Sequence, residues 1–219
     1  TKTKTLMERK LLSELKIDAI LLGHSETVRN EMKRSTYQDE IDFIVQSEER
    51  NKFICNLCSN LKGNTLVLFQ FVEKHGKHLH KLMEEINPDK KVFFIYGKTD
   101  ADLREEVRRI AEKIDDAIII ASYGTFSTGV SIKRLHNIVF ASPSKSRIRV
   151  LQSIGRQLRK SEHKDVAKLY DLADDLSWKK YKNHTLRHFE DRLKIYEGEG
   201  FEHKKIRINL KEDSHGTKL

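Results

Sequence analysis

Gln152, Gly155, Arg156 and Arg159, in the run QSIGRQLRK, fit the spacing Q-x-x-G-R-x-x-R. On a helix, Gln152, Arg156 and Arg159 recur at i, i+4 and i+7 and share one face. Two guanidiniums and an amide on one face can grip a transferring phosphoryl group, because the planar guanidinium fork matches phosphate oxygens and stays charged. Gly155 costs such a helix about 1 kcal/mol relative to Ala. That cost makes sense where something approaches closely. The competing explanation is a basic helix face with an incidental glycine.

Two more stretches carry phosphate-type chemistry. ASYGTFSTGVSI, residues 121–132, follows an apolar run and is dense in hydroxyls and glycine: Ser122, Gly124, Thr125, Ser127, Thr128, Gly129 and Ser131. Such a loop offers backbone N–H groups and hydroxyls to the phosphates of DNA or of a nucleotide; an ordinary strand-to-helix turn would look similar. In VFFIYGKTD, Gly97-Lys98-Thr99 imitates the end of an ATP phosphate loop. The full pattern G-x-x-x-x-G-K-[ST] needs a glycine five positions earlier, where Val92 stands. Gly97-Lys98-Thr99 is therefore not a phosphate loop and needs another explanation.

These segments need elements to hold them. Short apolar runs at 17–22, 65–69, 92–96, 117–121, 137–141 and 166–172 predict buried strands. Between them, helical patterns cover 39–61, 73–86, 100–114, with Asp100 as N-cap, and 147–160. A long charged helix is expected over 174–197 and a late edge strand over 201–210. Alternating strands and helices, with strands apolar throughout, imply an α/β fold: a parallel sheet with helices on both faces. Ligands of such sheets bind outside the carboxyl ends of the strands. The expected organisation is a linker or edge segment at 1–16, the α/β domain at 17–173, a helical and edge-strand extension at 174–210 and a disordered tail at 211–219.

The chain has 219 residues and a net charge of +9. Residues 1–131 hold 21 Lys+Arg and 21 Asp+Glu, whereas residues 132–219 hold 21 and 12, so the whole excess lies in the second part. A basic half suits a polyanion such as nucleic acid, though a well-solvated basic surface would also account for it. No apolar run approaches the length of a membrane span, so no membrane partner is expected. Two cysteines exclude a disulfide framework and fit a reducing, cytoplasmic setting.

Three smaller features invite chemistry and are better explained by packing or solvation. Cys55 and Cys58 have C-x-x-C spacing but no second pair to complete a zinc site. With Phe53, Ile54 and Leu57 they read as core, and no metal is expected. His75, His78 and His80 do not converge on one metal and read as a solvated face. Trp178, among Lys179, Lys180, Tyr181 and Lys182, is suited either to contact DNA or to pack on the sheet.

Taken in order, the strand at 65–70, the strand with Gly97-Lys98-Thr99 and Arg104, ASYGTFSTGVSI and QSIGRQLRK resemble motifs four, four-a, five and six of the superfamily-two helicases. The resemblance covers roughly residues 61–172 and is most specific at motif six. It implies a second RecA-like domain, with ATP and Mg²⁺ held mainly by a first RecA-like domain of the same polypeptide. Carried over by position, Arg156 and Arg159 match the arginines that reach the ATP phosphates across the interdomain cleft. Gln152 matches the residue that helps position the γ-phosphate or the attacking water. Gly129 and Ser131 fall in motif five near the nucleotide; many relatives have Asp where Ser131 stands. Gly97, Lys98, Thr99, Ser122 and Thr125 match positions facing the nucleic-acid backbone.

The resemblance implies an ATP-dependent DNA helicase that remodels branched DNA in replication, recombination and repair, in the host cytoplasm if phage-encoded. It also implies that these 219 residues alone hydrolyse ATP negligibly, since neither a phosphate loop nor an Asp-Glu-x-His box occurs among them. The alternative from another class is a non-enzymatic basic module that holds nucleic acid without ATP. A plain binder has no need of Gln152, Arg156 and Arg159 on one face. A metabolic α/β transferase using the 122–131 loop is disfavoured by the missing acid/base and cofactor motifs.

Overall fold

The computed structural model describes residues 14–127, 135–143 and 166–210. They form a seven-stranded sheet in which every pair of neighbours is parallel. In chain order the strands are β1 (Glu14–Gly23), β2 (Thr65–Phe69), β3 (Val92–Ile95), β4 (Ile118–Ser122), β5 (Asn137–Phe140), β6 (Val166–Asp175) and β7 (Glu202–Asn209). Their order across the sheet is β3-β4-β2-β5-β6-β1-β7. All six strands expected from the apolar runs are present, and the late edge strand is β7, paired to β1.

The helices are α1 (Glu26–Glu31), α2 (Tyr37–Gln46), α3 (Glu48–Asn60), α4 (Lys77–Ile86), α5 (Ala101–Ala111), α6 (Tyr123–Ser127) and α7 (His184–Glu199). Leu66, Leu68, Ile119, Ile138 and Leu169 face one side of the sheet, where Val107 and Ala111 of α5 and Tyr196 of α7 close over them. Val67, Phe69, Ile120, Val139 and Leu172 face the other, against Ile54, Cys55 and Cys58 of α3 and Leu79 and Met83 of α4. The central strands β2, β4 and β5 are thus apolar on both faces, as burial between two helical layers requires.

Three expectations are corrected. The single helix expected over 39–61 is two helices. Ser47 ends α2 with an extended backbone, and its hydroxyl caps α3 by accepting from Arg50 N; the apolar pattern runs through this kink and hides it. The charged helix expected from Asp174 begins only at His184. Asp174 and Asp175 instead belong to β6 with Asp171, and cations elsewhere in the chain meet all three carboxylates. The extension after residue 173 is continuous with the sheet, since it supplies the end of β6 and the edge strand β7.

His75 is the third correction: it is buried, not on a solvated face. A π-helical turn over Val72–Gly76 precedes α4, with Gly76 N donating to Phe71 O at 2.8 Å. The extra residue in this turn carries His75 inward. Gly76 lies against the Phe69 ring, and a Cβ there would sit 2.5 Å from Cε2. Only glycine fits. His78 is exposed and pairs with Glu48 at 2.9 Å.

Candidate nucleotide and nucleic-acid interface

The carboxyl ends of the strands carry the predicted site residues that the structure describes. β3 and β4 are neighbours with Ile95 opposite Ala121, so the segments following them leave the sheet side by side. The first is Tyr96-Gly97-Lys98-Thr99. Thr99 N donates to Tyr96 O at 2.9 Å, and Tyr96 N donates to Thr99 Oγ1 at 3.0 Å. Thr99 is buried and its side chain braces the turn, which presents Gly97 and Lys98 to solvent. A Cβ on Gly97 would meet nothing within 4 Å. Lys98 makes no ion pair with any described residue. Asp100 stands at the N-cap of α5, as expected, but its carboxylate makes no capping hydrogen bond. Arg104, one turn into α5, is half-buried, and its Nε has no hydrogen-bond partner among the described residues.

The second segment opens α6. Ser122 Oγ accepts from Thr125 N at 3.3 Å and lies 2.7 Å from Thr125 Oγ1. Thr125 is buried, Ser122 is half-buried, and Gly124 is exposed with open space where a Cβ would be. Tyr123 points inward and donates from its hydroxyl to Ser142 O at 3.1 Å, tying this turn to the end of β5. In both segments one threonine is spent on holding the turn, and a glycine beside it leaves room for a partner to approach the backbone. Gly129, Ser131, Gln152, Arg156 and Arg159 lie outside the described residues.

At the carboxyl ends of β5 and β6 stands a polar cluster that spacing in the sequence did not reveal. Arg50 Nε contacts both carboxylate oxygens of Asp174, at 2.9 and 3.0 Å, and Arg50 Nη1 donates to Ala141 O at 2.6 Å. His24 Nε2 lies 3.0 Å from Asp174 Oδ1. Burial pushes the Asp174 carboxyl up, but Arg50 and His24 outweigh it and hold the group below its ordinary value. His75 bridges Ser142 Oγ at 2.7 Å and Asn51 Oδ1 at 3.0 Å, while Ser142 Oγ accepts from Gln70 N. Burial first, then the neighbouring Arg50 and His78 charges, lower His75 to about 3. It therefore stays neutral at physiological pH.

Two further buried contacts fasten α7. Arg192 meets Asp171 through Nε at 2.8 Å and Nη2 at 3.1 Å, and Tyr196 donates to the same carboxylate at 2.8 Å. Glu40 of α2 accepts from His184 N and Thr185 N, both at 2.9 Å, and so satisfies orphan donors at the start of α7. Sequence reading could not find this, because the partners are more than 140 residues apart. The cysteines behave as core: burial, and then the charge of Glu48, push the Cys55 thiol up to about 12. Among the described residues, no group of three or more His, Cys, Asp or Glu gathers to hold a metal ion, and no helix is long and apolar enough to cross a membrane.

Residues 49–161 match the family model described as the helicase conserved C-terminal domain. The chain belongs to the helicase C-terminal domain family. The match takes in the 97–99 turn, the 122–125 turn and the whole of QSIGRQLRK. This domain is 38% identical over 221 residues to the ATP-dependent DNA helicase uvsW of Enterobacteria phage T4, covering 95% of this chain and 43% of that protein. The crystal structure of T4 UvsW superposes with a TM-score of 0.79 at 38% identity, covering 91% of this chain and 42% of that one. The chain thus spans about two fifths of the length of these relatives. At lower identity, the fold is shared with the restriction-modification enzyme LlaBIII (TM-score 0.60, 16% identical, 95% of this chain and 16% of that one). It is also shared with the C-terminal domain of the DEAD-box protein Dbp5 (TM-score 0.55, 10% identical, 92% of each chain). The parallel sheet is the RecA-like fold of a superfamily-two helicase C-terminal domain.

Proposed function

We propose that this domain is the second half of an ATP-driven DNA motor that remodels branched DNA. The observation that carries the reading is a coincidence of position. The family match runs through Gln152, Arg156 and Arg159, and the Gly97–Lys98 and Ser122–Thr125 turns stand side by side at the carboxyl edge of the sheet. In this reading Arg156 and Arg159 meet the phosphates of ATP bound to a first RecA-like domain of the same polypeptide. They stabilise the charge that develops as the γ-phosphoryl group leaves, with Gln152 positioning the attacking water. Gly129 and Ser131 approach the nucleotide. Gly97, Lys98 and Ser122 form the DNA side, with Thr99 and Thr125 bracing the two turns; Lys98 supplies charge and the glycines supply backbone access.

Mg²⁺ would neutralise charge on the ATP phosphates. Alternate closing and opening of the cleft would shift one domain past the other along the DNA backbone. The test is ATP hydrolysis by the 219-residue chain, alone and joined to a first RecA-like domain carrying a phosphate loop. Negligible turnover alone and DNA-stimulated turnover when joined are expected. Robust turnover by the chain alone, abolished by Lys98→Ala, would overturn the assignment.

A further inference from the structure

β6 leaves the sheet at Asp175, and the chain reverses over Trp178–Tyr181 before α7 begins. Trp178 N donates to Tyr181 O at 3.0 Å, and Tyr181 N donates to Trp178 O at 2.9 Å, closing a turn with Lys179 and Lys180 at its tip. Lys179 takes a φ of +52°, a conformation that a non-glycine residue adopts only at a cost. The base of the turn is fixed. Buried Asn183 accepts from Leu176 N at 3.1 Å and donates to Asp174 O at 3.2 Å, and Asp175 accepts from Ser177 N at 3.1 Å. The tip is therefore held ready rather than loose.

The chemistry at the tip is specific. Trp178 and Tyr181 are half-buried, whereas Lys179, Lys180 and Arg187 are exposed. Lys179 Nζ lies 6.0 Å from the Trp178 ring centroid, and the Arg187 guanidinium lies 5.8 Å from that of Tyr181. None of these three cations makes an ion pair with a described residue, while nearby Lys182 is taken up by Glu190 at 2.7 Å. Aromatic faces flanked by uncompensated cations suit unstacked bases and the phosphates that join them. A duplex keeps its base faces inside the stack, so the fit is to a single strand.

We infer that the Trp178–Tyr181 turn is a second contact for single-stranded DNA: Trp178 stacks on a base, and Lys179, Lys180 and Arg187 meet the flanking phosphates. The inference rests on the DNA-motor reading above and adds to it a site at a different place on the sheet. β6 is four strands from β3, about 19 Å at a spacing of ~4.8 Å. A single strand with unstacked bases is more extended than the ~3.4 Å rise of a duplex strand, so a few nucleotides cover that lateral spacing. One strand can span both contacts.

Trp178 is the only tryptophan in the chain, so its emission reports on this turn alone. The experiment titrates the 219-residue chain with a thymidine oligonucleotide about a dozen nucleotides long. It follows tryptophan emission, together with the anisotropy of a labelled copy of the oligonucleotide. Emission should be quenched and should saturate together with anisotropy. The double variant Lys179→Ala/Lys180→Ala should bind about tenfold more weakly. Its slope of log affinity against log salt should be shallower by about 1.4, two phosphate contacts' worth. Its thermal midpoint should match the parent's, which separates lost contact from lost fold. If anisotropy saturates while emission stays flat and the double variant binds like the parent, the turn is not a DNA contact, and the DNA-motor reading survives. If the parent produces no anisotropy change at all, both fall.

Discussion

The two ends of the β3-to-β6 stretch of the carboxyl edge are built on opposite terms. At β3 and β4 the turns are held by their own hydroxyls, glycines face open space, and Lys98 has no counter-charge among the described residues. At β5 and β6, beneath the exposed tip of the Trp178–Tyr181 turn, almost every buried polar group is committed. Arg50 and His24 hold Asp174, His75 holds Ser142, and Arg192 and Tyr196 hold Asp171. A surface meant to exchange partners cannot afford buried commitments, because each would have to be broken at every cycle. A surface meant to keep strand ends in place needs them. Pro143, from which the chain enters the stretch bearing Gln152, Arg156 and Arg159, stands at the committed end. In the proposed reading, side chains reaching across a cleft would need a fixed root, whereas those touching a sliding backbone would need to let go.

This contrast can be broken in graded steps. Asp174→Ala leaves Arg50 buried without its carboxylate, and should cost about 3–5 kcal/mol in denaturant unfolding. A loss below about 1 kcal/mol would mean that the cluster does not hold the edge. Gly76→Ala pushes a methyl into the Phe69 ring, itself stacked on Phe94 at 5.4 Å, and should cost about 1–3 kcal/mol by the same assay. The pH dependence is smaller. His75 is lowered in the folded state to about 3 from 6.5, so below pH 6.5 the unfolded chain binds the proton that the folded chain refuses. Stability carried by His75 is complete above pH 6.5 and is lost as pH falls toward 3, at up to about 1.4 kcal/mol per pH unit. Between pH 6.5 and 5 the unfolding midpoint should drop in the parent and drop less in His75→Gln. Loss through Asp174, whose carboxyl is held low, should begin only below its ordinary 3.8. The smallest stability effect belongs to the open end. Lys98→Ala should stay within about 0.5 kcal/mol of the parent in unfolding. Its DNA affinity should depend less steeply on salt, by about one phosphate contact.

Much of the fold was legible because its signals are local. Runs such as 66–69 and 118–121 are apolar at every position, and only a strand buried on both faces needs that. Gly97-Lys98-Thr99 stood out in the sequence as an incomplete phosphate loop at a strand end, and the structure shows Gly97 and Lys98 exposed there; the DNA role proposed for them came only from the family resemblance. What stayed hidden was long-range polar pairing. Asp174 and Asp175 read as the start of a charged helix because their partners, Arg50 and Arg207, lie far off in sequence. His75 read as solvated because three histidines suggest a wet face, and only the π-helical turn before α4 carries one of them inside. Ser47 broke a helix that apolar spacing alone would have continued.

The central claim is that Arg156 and Arg159 serve the nucleotide while the β3–β4 turns serve DNA. Its most direct test is the pair of variants Arg156→Lys and Arg159→Lys in the chain joined to a first RecA-like domain. ATP turnover and nucleotide-free DNA affinity should be measured on the same preparations. Lysine keeps the charge but loses the planar fork. Turnover should fall by about 10³-fold or more in each variant, with DNA affinity little changed. Turnover that survives while DNA binding collapses would contradict the account and make this domain a basic nucleic-acid binder.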